Sequence, residues 1–152
     1  MSKAYIIVHD EADVLIGIGG CSGRSRTVRG GHHLPGGTIA DDESAEQAAL
    51  RELTEETGIT AQHVVVENNN ITTKSTPGVT FVVARVVDGE SVDSLVAHFQ
   101  RPQIINQYDE PFTSVISLRS ENSWENDNFN AKDHTDWFMH GLYAVKNLIA
   151  PQ

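Results

Sequence analysis

The stretch from Gly37 to Ile59, GTIADDESAEQAALRELTEETGI, limits what this chain can fold into more than any other part of it. Ser44 stands where a helix cap belongs, and Gln47, three residues on, can return a hydrogen bond to the backbone. Residues 45–57 (AEQAALRELTEET) have high helix propensity and contain neither Gly nor Pro. Gly58 is placed to end the helix in a left-handed conformation at little cost. The spacing predicts a helix over 45–57 with a stop signal at each end. At about 100° per residue, Glu52, Glu55 and Glu56 fall on one face, within roughly 100° of one another. Leu50, Leu53 and Thr57 lie on a different side and are expected to face the core, whereas Ala45, Ala48 and Ala49 sit on the acidic side.

Three ionised carboxylates at this spacing repel one another. A hard divalent cation with oxygen ligands stabilises such a cluster, and the small alanines would let metal and phosphate approach closely. The same residues admit another reading, a solvated acidic helix in which Arg51 pairs with Glu55 four residues on. That reading does not require the fixed spacings also present. Gly37 is followed by five residues and Glu43, then seven and Arg51-Glu52-Leu53, then Thr54, Glu55-Glu56, Thr57, Gly58 and Ile59.

This is the pattern G-x5-E-x7-R-E-U-x-E-E-x-G-U, with U a bulky aliphatic residue, and every fixed position is filled. The chain therefore resembles the Nudix hydrolases (MutT-like), which use divalent metal to hydrolyse nucleoside diphosphates linked to another group. The strong motif covers residues 36–59, and the resemblance in fold extends over most of the chain. It implies an α/β fold, an α/β/α sandwich with a central mixed β-sheet, as one domain over 1–152. It also implies Mg²⁺ as cofactor, with Mn²⁺ able to substitute. Carried over by position, Glu55 and Glu56 become metal ligands, and Glu52 a further ligand or the base that deprotonates water. The carbonyl of Gly36 joins the metal shell. Arg51 orients the glutamates by salt bridge, and Glu43 supports the loop-helix-loop. Gly37 and Gly58 let the backbone turn where a side chain would obstruct. Relatives place another acid in a loop before a late strand. Glu110, just ahead of FTSVISL (112–118), is the candidate here, set against an ordinary exposed turn acid beside Pro111. The catalytic set expected is thus Glu52, Glu55, Arg51 and Glu110.

The remaining pattern suits such a domain. Residues 3–9 and 13–18 read as strands joined by a turn at Asp10-Glu11-Ala12. Residues 19–31 read as a Gly/Ser loop, 61–73 as strand material bulged at Asn68-Asn69-Asn70, and 79–87 as the strongest strand. Residues 90–107 are ambiguous between an insertion and an irregular strand, and 119–133 are loop-like. Trp137, Gly141, Ala144, Val145 and Leu148 recur at helical spacing in 134–150. Among 152 residues, 39 % are apolar and Cys21 is the single cysteine, which excludes an internal disulfide and fits a reducing cytoplasm. No stretch approaches the apolar run needed to cross a membrane. A net charge of -10 argues against broad binding to a nucleic-acid polymer or an anionic membrane. It leaves small phosphate substrates open, because metal ions and a local basic patch reverse the field at a site.

Substrate contacts are expected from Arg24, Arg26 and Arg29, whose guanidinium forks suit phosphate oxygens, against a solvated basic loop. Trp124 and Phe129, in a polar loop, and Phe112 are candidates to stack on a base, whereas Trp137 reads as core. His32 and His33 resemble metal ligands in isolation, but the resemblance makes them packing or substrate-contacting residues. The expected partner is a small-molecule nucleotide, bound by a monomer or homodimer. A nucleoside triphosphate, oxidised forms included, leads on chain size. An ADP-ribose or nucleotide-sugar pyrophosphatase is the alternative, with Pro77 slightly outside the spacing that ADP-ribose relatives show. A non-catalytic nucleotide-binding domain, and an isomerase or non-nucleotide pyrophosphatase acting for example on prenyl diphosphates, are the remaining rivals. The first usually lacks signature glutamates that this chain keeps, and isomerases of the second kind use a catalytic Cys for which Cys21 shows no supporting pattern.

Overall fold

The computed structural model describes residues 2–19, 21–22, 27–28, 32–68, 70–72, 74, 77–103 and 111–119. Strands β1 (Lys3–His9) and β2 (Asp13–Ile18) form a hairpin. Its turn is closed by Asp10, whose Oδ1 accepts from the backbone N–H groups of Ala12 and Asp13 at 3.0 and 2.8 Å. Two short strands, β3 (Cys21–Ser22) and β4 (Thr27–Val28), pair with each other inside the stretch expected to be only a loop. Then come β5 (His32–His33) and β6 (Gly36–Thr38). Helix α1 (Ala45–Thr57), a 3-10 turn (Ala61–His63), β7 (Val64–Val66) and β8 (Val79–Val86) follow, and helix α2 (Val92–Ala97) and β9 (Ser114–Arg119) complete the described elements.

The sheet is mixed. β1 pairs with β8 in parallel along its whole length, with Tyr5 opposite Phe81. On its other side β6 runs antiparallel, which sets Gly36 opposite Tyr5 and Gly37 opposite Ala4. β2 pairs antiparallel with β5 and β9, and β7 closes on β8. A central strand buried on both faces should read as a continuous apolar run, and β1 does, with Ala4 to Val8 all buried. Its alternate side chains feed two cores. One holds Ala4, Ile6, Val8 and Leu15 with Ala48, Ala49 and Leu53 of α1 and Val92 and Leu95 of α2. The other holds Tyr5, Ile7, Val14, Ile16, Leu34, Phe81 and Val83. Each fully buried Ile, Leu or Val contributes about 1.5–3 kcal/mol relative to exposure, so these layers, rather than helix propensity, hold α1 on the sheet.

The ends of α1 match the sequence expectation. Ser44 Oγ accepts from Gln47 N at 3.1 Å, and Gln47 Oε1 accepts from Ser44 N at 2.9 Å. Gly58 sits at φ 81°, and its N–H donates to the Thr54 carbonyl at 2.9 Å. Replacing Ser44 by Ala removes the cap acceptor and strands a helix N–H. We expect a loss of about 1 kcal/mol, read as a lower urea midpoint at unchanged slope.

Three expectations are corrected. Ala48 and Ala49 do not leave space beside the carboxylates, because both are fully buried against the sheet. Among the described residues of 61–73, only Val64–Val66 forms a strand; 61–63 is a 3-10 turn, and Ile71 makes an isolated bridge to Phe81. The ambiguous stretch 90–107 contains α2, capped reciprocally by Ser91 and Ser94 and joined to the hairpin by Asp10 Oδ2, which accepts from Val92 N at 2.9 Å. The helix expected over 134–150 lies outside the described residues, with Trp137 in it. Among the described residues no helix is long and apolar enough to cross a membrane.

Candidate active site

Helix α1 packs on the sheet through Ala48, Ala49 and Leu53, and Glu56 and Glu52 meet the backbone at Gly36 and Gly37. Arg51 is the hub. Its Nε donates to Glu43 Oε2 at 2.7 Å and its Nη2 to Glu43 Oε1 at 2.9 Å, a two-pronged pair. Nη1 donates to Glu52 Oε1 at 3.0 Å and reaches both Glu55 oxygens at 3.2 and 3.3 Å. Nη2 also donates to the Thr38 carbonyl at 3.2 Å. One cation thus holds three carboxylates and the strand that leads into the helix.

The three pairs are not equal. Glu43 and Glu52 side chains are each 17 % exposed, whereas Glu55 is 55 % exposed. The Glu55 contact is an i,i+4 surface pair, of a kind worth at most about half a kcal/mol. The Glu43 pair is the strong one. Arg51, with help from the Ala40 N–H, lowers the Glu43 carboxyl from 4.5 to about 2, while Glu43 holds the Arg51 guanidinium above its ordinary range. The folded form thus binds the Glu43 proton more weakly than the unfolded chain does. The stability it adds is complete above pH 4.5 and is lost as pH falls from 4.5 towards 2. A carboxyl-detected NMR titration should place the Glu43 midpoint near 2. Arg51→Gln should return that midpoint towards 4.5, with the Ala40 bond retained.

Glu56 differs from its neighbours. It is 3 % exposed, and its Oε1 accepts from the Gly36 N–H at 2.7 Å. A buried carboxylate is costly unless its charge is compensated, and the short bond to Gly36 compensates part of it. Glu52 lies on the Gly37 backbone, close enough that a Cβ on Gly37 would stand 2.8 Å from its carboxyl carbon. Every donor that these signature side chains offer is a carboxylate oxygen: Glu52, Glu55 and Glu56. That set fits a hard divalent cation in kind. It is not assembled in advance, since among the described residues no three His, Cys, Asp or Glu side chains converge to hold a metal ion. Arg51 is the counter-ion that collects Glu52 and Glu55 instead.

The NUDIX domain profile matches residues 3–111. The chain belongs to the NUDIX family. Solved structures with the same fold include a NUDIX hydrolase from Nitrosomonas europaea, at TM-score 0.57 and 16 % identity over 98 % of this chain and 90 % of that one. The Nudix hydrolase RenU of M. smegmatis gives TM-score 0.55 and 17 % identity over 95 % and 86 %. A C. elegans Ap4A hydrolase binary complex gives 0.53 and 13 % over 94 % and 98 %. No curated protein matches the sequence.

The structure thus brings Gly36, Glu43, Arg51, Glu52, Glu55 and Glu56 of the NUDIX signature together. Glu110, Arg24, Arg26, Arg29, Trp124 and Phe129 lie outside the described residues. Phe112 is corrected: it is fully buried, so its ring has no face free to stack on a base. His33 is a packing residue, 7 % exposed, with Nδ1 donating to the Leu34 carbonyl at 2.7 Å. Sequence reasoning missed the Thr38 carbonyl as an Arg51 partner and the Phe112 N–H, which donates to the Glu56 carbonyl at 2.9 Å. Backbone partners leave no mark in residue type, so no signal pointed to either.

Proposed function

We propose that this NUDIX domain is a Mg²⁺-dependent pyrophosphohydrolase that cleaves a nucleoside diphosphate linked to another moiety, nucleoside triphosphates and their oxidised forms foremost. The observation that carries this reading is the acidic stripe of α1 within a complete signature, with Glu56 on the Gly36 N–H, Glu52 at Gly37, and Arg51 bridging Glu52 and Glu55. A divalent cation bound by Glu52, Glu55, Glu56 and the Gly36 carbonyl would neutralise phosphate oxygens and lower the pKa of water.

The chain's own residues set the rest. Arg51 keeps Glu52 and Glu55 on the same side of the helix and restrains their rotamers. The Glu43 pair fixes Arg51 in turn. Glu52, one turn before Glu56 and partly exposed, is assigned as a further metal ligand or as the base that takes a proton from attacking water, and its exposure supports access by water. Glu110, which precedes β9 in sequence, is proposed as a second acid. Arg24, Arg26 and Arg29 are assigned to phosphate and Trp124 and Phe129 to the base, with the chain acting as monomer or homodimer in the cytoplasm.

The test is release of phosphate and pyrophosphate with Mg²⁺ or Mn²⁺ at slightly alkaline pH. The panel holds ordinary and oxidised nucleoside triphosphates, ADP-ribose, nucleotide sugars and dinucleoside polyphosphates. Metal-dependent turnover of triphosphates supports the reading. Turnover of ADP-ribose or nucleotide sugars alone replaces the substrate. Silence throughout, with thermal stabilisation by a nucleotide, replaces the enzyme with a binding domain.

A further inference from the structure

Glu56 is held at both ends, and the two holds are joined through the protein interior. Its carboxylate accepts from Gly36 N, and its carbonyl accepts from Phe112 N. Beneath Gly36 lies Tyr5, so close that a Cβ on Gly36 would stand 2.2 Å from a ring carbon. The Tyr5 ring packs on His33 with centroids 5.9 Å apart, and His33 packs on Phe112 at 6.3 Å. The circuit closes there. It runs from the Glu56 carboxylate through Gly36, Tyr5, His33 and the Phe112 ring to the Phe112 N–H and back to the Glu56 carbonyl. All three rings are buried. The Phe112 ring is wedged over Gly17, where any Cβ would lie 2.4 Å from it.

We infer that Phe112 is a positioning residue for Glu56. It sets the last turn of α1 against the sheet so that the Glu56 carboxylate meets Gly36 N. Close-packed interiors transmit displacement because neighbouring atoms have no free volume in which to relax. A ring that shrinks or shifts therefore moves the backbone N–H it carries, and with it the helix end. The inference rests on the reading of Glu56 as a metal ligand, but the bond to Gly36 can be observed without metal or substrate.

The experiment compares the wild type with Phe112→Leu and Gly17→Ala, which disturb the wedge from opposite sides. Ile7→Ala is the control, a fully buried substitution in the apolar cluster that holds Tyr5. Three quantities are measured: the Gly36 amide proton shift and exchange rate by NMR, Mn²⁺ affinity by electron paramagnetic resonance without substrate, and kcat and KM. In both test variants the Gly36 amide should move upfield and exchange about tenfold faster. Mn²⁺ affinity should fall about tenfold, the scale seen when a ligand's supporting partner is lost. kcat should fall with KM for the nucleotide unchanged. Ile7→Ala should lower Tm and leave the amide and the Mn²⁺ affinity alone. Wild-type amide and Mn²⁺ behaviour in Phe112→Leu would overturn the inference, and so would equal changes in Ile7→Ala. If Phe112→Leu does not fold, Phe112→Met, closer in volume, is judged by the same criteria. A wild type without turnover removes the functional reading, while the Gly36 amide still decides the role of Phe112.

Discussion

Glu56→Gln should leave the chain folded and slow its hydrolysis sharply. The substitution keeps the side-chain length, and the amide oxygen can still accept from Gly36 N, now at 2.7 Å. It removes a charge that is 3 % exposed. Burying an ion costs several kcal/mol before compensation, so its removal offsets the weaker hydrogen bond, and Tm should not fall. Catalysis loses the only signature glutamate buried at the Gly36 backbone. We expect kcat to drop by about 10²–10³, equivalent to roughly 3–4 kcal/mol, the scale for losing one preorganised electrostatic group. Glu55→Gln is the instructive comparison. Glu55 is 55 % exposed, and among the described residues it is held by Arg51 Nη1 alone. Its replacement should change Tm by less, with any loss of rate showing at low metal concentration first. Thermal melts beside steady-state kinetics over a Mg²⁺ titration check both. Full metal-dependent turnover in Glu56→Gln would sink the assignment of Glu56.

The signature helix was legible because its evidence is local. A capping box, an uninterrupted propensity run and a glycine stop all lie within fifteen residues and agree. The wheel also placed Ala48, Ala49 and Glu56 on one stripe correctly. What failed was the expectation that the alanines on the acidic side leave room for metal and phosphate. Ala48 and Ala49 are buried because their small side chains let the helix sit close on the sheet, and that closeness carries Glu56 into the interior with them. A wheel gives angles between side chains but not the direction of the sheet. Helix α2 was hidden for another reason. It is six residues long, its reciprocal cap uses Ser94 instead of Glu or Gln, and its first N–H is held by Asp10, 82 positions away. The short pairs β3–β4 and β5–β2 likewise depend on neighbours, not on periodicity, which two residues cannot show.

The two glycines ahead of the signature should fail in different ways. Gly36 is fixed by the sheet. A Cβ there would meet the Tyr5 ring at 2.2 Å and the Ala4 carbonyl at 2.4 Å. Neither can yield, since the carbonyl belongs to the central strand and the ring is wedged between His33 and Phe81. Gly36→Ala must therefore push β6 off β1. We expect a loss of about 3 kcal/mol, the upper part of the overpacking range, or roughly 6–12 °C in Tm for a domain of this size. Gly37 has a different neighbour. Its Cβ would meet the Glu52 carboxylate at 2.8 Å, and a carboxylate on a flexible stem can swing away. Gly37→Ala should thus keep nearly full stability and lose activity, because the swing carries Glu52 off its 3.0 Å bond to Arg51. A thermal melt and a kcat measurement on both variants separate the two effects. Equal stability loss in both would mean that Glu52 is locked by more than Arg51. Unchanged activity in Gly37→Ala would mean that the position of Glu52 does not limit the chemistry.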